Sequence, residues 1–294
     1  RATARHTALQ ALLQMEENEG YSNIVIDKAL RSAGLDHRDG ALAATIFYGV
    51  LEKRLPLDYA LKSCLKDPKK KLDTSVWMLL RCGAYQILYL DRVPDSAAVN
   101  EAVEEAKTLK KGTYAGLVNG VLRNLVRRKS QIVFPEGDSL EALSLRYSLP
   151  KELIALWQRS YGKKLCGQLL EAFQQRPSLY IRVNTVKIRT DQLAKKLSDK
   201  GIALSKLEFP LGAAIFEGEG SPAALPEFQE GLFHVQDLSA QLACQLLEVK
   251  PGQMVCDCCA APGGKTFTLA QALENKGTIY SFDLYKGRVK LIEK

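Results

Sequence analysis

Between residues 254 and 288 the chain collects the residue types from which a nucleoside-binding loop is made. The run Asp257-Cys258-Cys259-Ala260-Ala261-Pro262-Gly263-Gly264-Lys265-Thr266 follows a short strand-like stretch, residues 254–257, and leads into a helix-forming one from about Lys265. Gly263 and Gly264 lack a Cβ and let a ligand approach the backbone, and the start of the helix presents N–H groups that the helix itself cannot use. Residues 278–283 form a second strand-like stretch ending on Asp283. A carboxylate there can accept hydrogen bonds from both hydroxyls of a ribose. Two phosphate-binding patterns fail on spacing. The pattern G-x-x-x-x-G-K-[ST] requires glycine where Cys259 stands, and G-x-G-x-x-G fails because the glycines are adjacent and no third follows. A nucleotide hydrolase and a dinucleotide enzyme are therefore disfavoured.

Thiol chemistry is the other possibility raised by this run. Cysteines occur at 64, 82, 166, 244, 256, 258 and 259. Cys256 and Cys259 make a C-x-x-C, but no second pair and no nearby histidine complete a four-ligand set, so no metal is expected. The odd cysteine count, in a chain that opens without the apolar run and cleavage site of a secretory leader, argues against a disulfide framework.

The elements that must position the loop fall into three segments: 1–138, 139–232 and 233–294. In the first, apolar residues recur at helical spacing, as in Ala4, Ala8, Leu12 and Met15, in Ala41, Thr45, Tyr48 and Leu51, and in Val99, Val103 and Ala106. Residues 75–90 are apolar on nearly every face, as suits a helix surrounded by others. A helical bundle is predicted, with Arg81, Gln86 and Asn119 making interhelical hydrogen bonds; the roles of Asn100 and Arg123 stay open. The second segment predicts a small α+β unit: a short helical stretch at 150–162, strands at 178–184 and 202–209, a helix at 190–201, and a loop at 212–226, which is rich in Gly, Ala and Pro. The third opens on a helix at 235–247 and continues as strand, loop, helix and strand.

Composition bounds the partner. With 46% hydrophobic and 25% charged residues the chain is a folded one, and at 294 residues it suits two or three domains. Its 41 basic residues against 33 acidic ones give +8, which favours a polyanion. The basic residues gather in short runs: Lys69, Lys70, Lys71; Lys110, Lys111; Arg127, Arg128, Lys129; Lys163, Lys164; Lys195, Lys196. No stretch of about 18 apolar residues is present, so a cytoplasmic location without membrane insertion is expected.

Three sets of residues carry a resemblance. The stretches RDGALAATIFYGVL, SVWMLLRCGAYQILYLDRVPDSAAVNEAVEEAK and GLVNGVLRNLVRR resemble the helical RNA-binding domain of the antitermination factor NusB over most of residues 4–129. In the Sun/Fmu (RsmB) family of RNA methyltransferases such a domain is fused at the N-terminus. DCCAAPGGKT, preceded by FHVQDLSAQLA, resembles the S-adenosylmethionine loop of the Sun/NOP family of RNA cytosine-C5 methyltransferases, and Arg182-Val183-Asn184 is similar to a tripeptide that Sun-family enzymes carry ahead of the catalytic domain. The resemblance implies an all-α NusB-like bundle, a small α+β RNA-binding module, and the start of a Rossmann-like α/β methyltransferase domain. It implies S-adenosyl-L-methionine as cofactor, with Cys259, Ala260, Ala261, Pro262, Gly263, Gly264 and Lys265 wrapping its methionine and adenosine portions. It places Asp283 on the ribose and Arg288 beside the pocket, with Gln236 and Asp237 bracing the loop. It also implies a cysteine nucleophile that adds to C6 of cytosine in small-subunit ribosomal RNA. The family carries that cysteine on strands beyond the second, so no catalytic residue is expected here; the chain is expected to be truncated, inactive on its own, and monomeric. The competing expectation is a noncatalytic NusB-type RNA-binding factor, which has no use for the loop beside Asp283.

Overall fold

The computed structural model describes residues 3–18, 22–69, 71–108, 112–175, 177–218 and 221–293; Lys70, Lys110 and Lys111 of the basic runs lie outside the described residues. The chain forms two compact units, Arg1–Gln175 and Arg176–Lys294. Among the described residues, no helix is long and apolar enough to cross a membrane.

The first unit is helical: α1 (Ala4–Asn18), α2 (Ser22–Ala33), α3 (His37–Glu52), α4 (Arg54–Cys64), α5 (Thr74–Tyr89), α6 (Asp95–Thr108), α7 (Ala115–Arg128), α8 (Leu140–Tyr147) and α9 (Lys151–Gln174). Side-chain caps fix several starts: Asp36 accepts from the Asp39 N–H, Asp73 from that of Ser75 and Ser139 from that of Ala142. Helix α5 runs through the core, where Val76, Leu79, Leu80, Cys82 and Ala84 are all buried. Its apolar surroundings push the Cys82 thiol up to about 12. Gly83 lies beneath Leu122 of α7, which leaves no room for a Cβ and lets the two helices approach closely.

Periodicity located α3, and contacts settle which side of it is buried. Ala41, Thr45 and Tyr48 are exposed, and the face that meets the core carries Ala43, Ile46, Phe47 and Val50. Both faces have helical spacing, and only contact with α1 and α5 decides between them. The short helix expected at 150–162 continues as α9 to Gln174, broken at Gly162, which has φ 77° and ψ 163°. It packs on α8 through Leu143, Tyr147, Ile154, Cys166 and Leu170.

Two polar residues of α5 behave as the sequence predicts. Gln86 donates to the Cys82 carbonyl and accepts from Arg5 Nε at 2.6 Å. Arg81, 5% exposed, forms a two-pronged pair with Asp58 of α4 at 2.7 and 2.8 Å, and its guanidinium stands 5.8 Å from the Trp77 ring centroid. Removing one partner of such a pair leaves a charge in the core. Asp58→Ala is expected to lower the stability of the helical unit by roughly 3 kcal/mol in urea unfolding. A loss below about 1 kcal/mol would mean that Glu16, 3.7 Å from Arg81, takes over the pairing.

The second unit contains β1 (Leu179–Val183), α10 (Thr190–Ser198), β2 (Ala203–Lys206), β3 (Ala213–Glu217), α11 (Pro226–Gln229), β4 (Phe233–Val235), α12 (Leu238–Leu246), β5 (Met254–Asp257), α13 (Gly264–Ala272), β6 (Thr278–Ser281) and α14 (Lys286–Val289). Strands β1 to β4 form an antiparallel sheet in the order β2-β3-β1-β4, with Ile181, Val183, Leu193, Leu197, Phe216 and Phe233 in its core. Two expectations need correction here. The supposed loop at 212–226 contains β3, an inner strand paired with both β1 and β2. The helix expected from Val235 starts at Leu238, because Val235 still pairs with Ile181 as the end of β4.

Strands β5 and β6 pair in parallel, Asp257 opposite Ser281, with α13 as their crossover. The strand–loop–helix–strand order expected from the sequence is thus present, with β6 closing at Ser281 rather than at Asp283.

Candidate functional site

The site is built from the carboxyl end of β5 outward. Asp257 is the last residue of that strand, and its side chain is 8% exposed. It accepts from the Thr266 hydroxyl at 2.8 Å and from the Cys259 N–H at 3.3 Å. One carboxylate therefore ties the strand end to the loop that follows and to the first turn of α13. The backbone completes the closure: Phe282 N–H donates to the Asp257 carbonyl at 2.8 Å, and Ala260 N–H to the Phe282 carbonyl at 2.9 Å.

Gly263 caps α13 with φ at +110°, a conformation that side-chain-bearing residues rarely adopt. A Cβ there would also run into the Phe267 ring. Ala260, Ala261 and Gly263 are buried, whereas Cys259, Pro262 and Lys265 are exposed. The nine-residue helix that starts at Gly264 leaves the N–H groups of its first turn directed at the loop.

Asp283 and Arg288 both reach Ala261. Asp283 Oδ2 accepts from the Ala261 N–H at 3.2 Å and Oδ1 from the Tyr285 N–H at 3.2 Å; Arg288 Nη2 donates to the Ala261 carbonyl at 2.9 Å. An ionised carboxylate offers about four acceptor positions, so Asp283 retains capacity beyond these two bonds.

The bracing expected of Gln236 is present. Its Oε1 accepts from the Thr268 hydroxyl of α13 at 2.6 Å, and its buried Nε2 has no partner among the described residues. That nitrogen lies near Gly264, where a Cβ would stand 3.6 Å from it. Asp237 caps α12 through the Ser239 hydroxyl and N–H, which hold its carboxyl below the usual carboxylate range. That contribution is complete above the ordinary carboxylate range and is lost as acid protonates the group. His234 packs edge-on to Phe267 at 6.2 Å, and burial lowers its pKa, which favours the neutral ring.

Arg182 and Asn184, singled out in the sequence as part of a tripeptide, and Gln241, which was not, each hold a partner distant in sequence. Arg182, 6% exposed, donates from Nε to Gln271 of α13 at 3.1 Å and from Nη1 to the Leu211 carbonyl at 2.6 Å, so it ties the antiparallel sheet to the helix behind the loop. Asn184 donates to the Gly231 carbonyl at 2.9 Å, the turn-forming role of a strand-end asparagine. Gln241 donates to the carbonyls of Ile181 and Gln236. A buried polar residue in an otherwise apolar strand or helix was the available signal, but its partner lies 60 or 89 positions away in the two longest of these bonds.

The cysteines are arranged differently from the C-x-x-C reading. Cys256 and Cys258 approach, Sγ to Sγ, at 3.5 Å, and that contact raises the Cys256 thiol above its ordinary value. Among the described residues, no group of three or more His, Cys, Asp or Glu side chains could hold a metal ion.

Thr266→Val keeps the shape of α13's first turn and removes one of the two bonds to the buried Asp257 carboxylate. The expected cost is about 1–3 kcal/mol of stability in the second unit, read by denaturant unfolding. An unchanged midpoint would show that the carboxylate does not fasten the loop.

Three family models match separate parts of the chain. Residues 2–127 match the NusB family model, residues 149–217 the ferredoxin-like domain of the RsmF/B-like methyltransferases, and residues 244–294 the 16S rRNA methyltransferase RsmB/F model. The chain is 34% identical over 293 residues to the probable ribosomal RNA small subunit methyltransferase B of Bacillus subtilis (strain 168), a match covering 100% of the chain and 65% of that protein. It is 33% identical over 264 residues to ribosomal RNA small subunit methyltransferase B of Escherichia coli O1:K1 / APEC, covering 89% of the chain and 59% of the relative. The chain thus spans somewhat less than two thirds of the length of these relatives. A crystal structure of PH0851 shares the fold, with a TM-score of 0.78 over 99% of the chain and 65% of that structure at 23% identity.

Proposed function

Because the chain belongs to the RsmB/F family, with NusB-type and ferredoxin-like segments ahead of a methyltransferase segment, we propose that it serves S-adenosyl-L-methionine-dependent methylation of small-subunit ribosomal RNA. The observation that carries the reading is the loop after β5, held at Ala261 by Asp283 and Arg288 and at its base by Asp257. The division of labour follows the three segments 1–138, 139–232 and 233–294: the first two hold RNA and the last holds the cofactor.

The residues present fit that cofactor. Gly263 adopts a backbone conformation suited to glycine, Gly264 leaves space beside Gln236, and α13 directs its first N–H groups at the loop. When bound, S-adenosyl-L-methionine supplies an electrophilic methyl group on a sulfonium centre. In our assignment Cys259, Ala260, Ala261, Pro262, Gly263, Gly264 and Lys265 enclose its methionine and adenosine portions through the backbone. Asp283 accepts from the ribose hydroxyls on the lone pairs that Ala261 and Tyr285 leave, and Arg288 holds Ala261 in place.

We further assign the transfer to C5 of cytosine through a cysteine adduct at C6. Such a nucleophile has to be substantially ionised. Cys258 has no matching role in the family pattern, and Cys259 is assigned to the cofactor loop. The thiolate is assigned to the part of the family's length that these 294 residues do not represent. A cytoplasmic monomer acting on RNA completes the reading.

The test is calorimetric titration of S-adenosylhomocysteine into the protein carrying this chain. Saturable binding is expected, with Asp283→Ala weakening it about tenfold or more, the value of roughly one lost charge-assisted hydrogen bond. A folded protein that binds no S-adenosylhomocysteine would overturn the methyltransferase reading.

A further inference from the structure

A groove of about 670 Å³ opens on the helical unit between the start of α6 and the C-terminal half of α7. Its apolar floor is Val99, 3% exposed, and half-buried Val126; Ser96 and Asn100 line one side, and Arg123 and Arg127, one turn apart and both exposed, line the other. Among the described residues neither guanidinium is paired with a carboxylate. The acid in the groove, Asp95, is engaged by Lys129 Nζ at 2.7 Å. The groove therefore offers two uncompensated cations beside neutral hydrogen-bonding groups and an apolar surface.

Gly120 gives an independent reason to regard the groove as open by construction. It sits in the interior of α7, where glycine weakens a helix relative to alanine. A Cβ at this position would meet nothing within 4 Å, so packing inside the unit does not require glycine here. The missing side chain leaves space between Asn100 and Arg123.

We propose that this groove binds a segment of single-stranded RNA, with phosphates on Arg123 and Arg127, a base or ribose against Val99 and Val126, and Asn100 and Ser96 available to its polar edges. An acidic peptide shares the charge but does not explain the apolar floor of Val99 and Val126 between the cations and the amide, which suits an unstacked base. The inference rests on the RNA reading given above and adds the surface that would hold the strand.

The test measures fluorescence anisotropy of a labelled single-stranded oligoribonucleotide of about twelve nucleotides, long enough to fill a site of this size, with the protein carrying this chain. The double variant Arg123→Glu and Arg127→Glu is expected to weaken binding about tenfold or more, and to flatten the dependence of log K on log salt by about 1.4, two phosphate contacts at about 0.7 each. Gly120→Leu fills the groove without altering charge and is expected to weaken binding similarly while leaving Tm undiminished. Lys28→Glu, on the exposed surface of α2, serves as the charge-reversal control and is expected to change binding less than twofold. RNA binding unchanged in the Gly120→Leu and arginine variants would overturn the groove assignment, and S-adenosylhomocysteine binding in the same protein would show that the family reading stands regardless. Equal competition by poly-glutamate, lost in the same variants, would overturn RNA as the occupant.

Discussion

The Asp257 carboxylate is the point at which strand, loop and helix of the second unit are fastened together. A loop of two cysteines followed by alanine, proline and glycine has few side chains with which to hold itself, so its shape has to be imposed from its two ends. Asp257 does this from within, through the Cys259 N–H and the Thr266 hydroxyl, and Asp283 does it from just beyond the next strand, through the Ala261 N–H. The first carboxylate is buried and the second half-exposed. Small residues in the loop give a ligand access to the backbone, and the acids on either side supply the order that small residues lack.

Around that centre, polar residues act as ties between elements. Arg182 joins the antiparallel sheet to α13 through Gln271, and Gln236 joins the end of β4 to the same helix through Thr268. Gln241 carries the connection back to β1 and to Gln236. The antiparallel sheet is therefore part of what fixes the loop's supporting helix. In the helical unit Arg81 and Asp58 play a comparable part between α5 and α4, at a depth where an unmatched charge would cost more than a missing methylene.

The sequence made local structure visible and distant pairing invisible. The order β5, loop, α13, β6 was legible because glycine, proline and an acid fall at fixed offsets within a short stretch. Strand β3 was not legible: residues 213–217 follow Pro and Gly and precede more of both, and their strand character comes from β1 on one side and β2 on the other. Helix α3 was legible as a helix but not as to its buried side, since Ala41 and Tyr48 repeat as regularly as Ala43 and Val50. For the site, Gln236 was legible as a brace, whereas Arg182 was legible only as part of a tripeptide and its partner Gln271 was not, being remote in sequence. Asp283 was legible by position, while its bond to Ala261 depends on how the loop folds back over β6.

The parallel pairing of β5 with β6 also sets an order of assembly. Parallel neighbours cannot be joined by a tight hairpin; the second strand can pair only after the whole crossover between them has been synthesised. During synthesis the helical unit can complete its local contacts while the end of the chain is still being translated. The loop after β5 acquires its outer clasp only after residue 283 has emerged, so the nascent protein would carry a finished α6–α7 surface before that loop was closed.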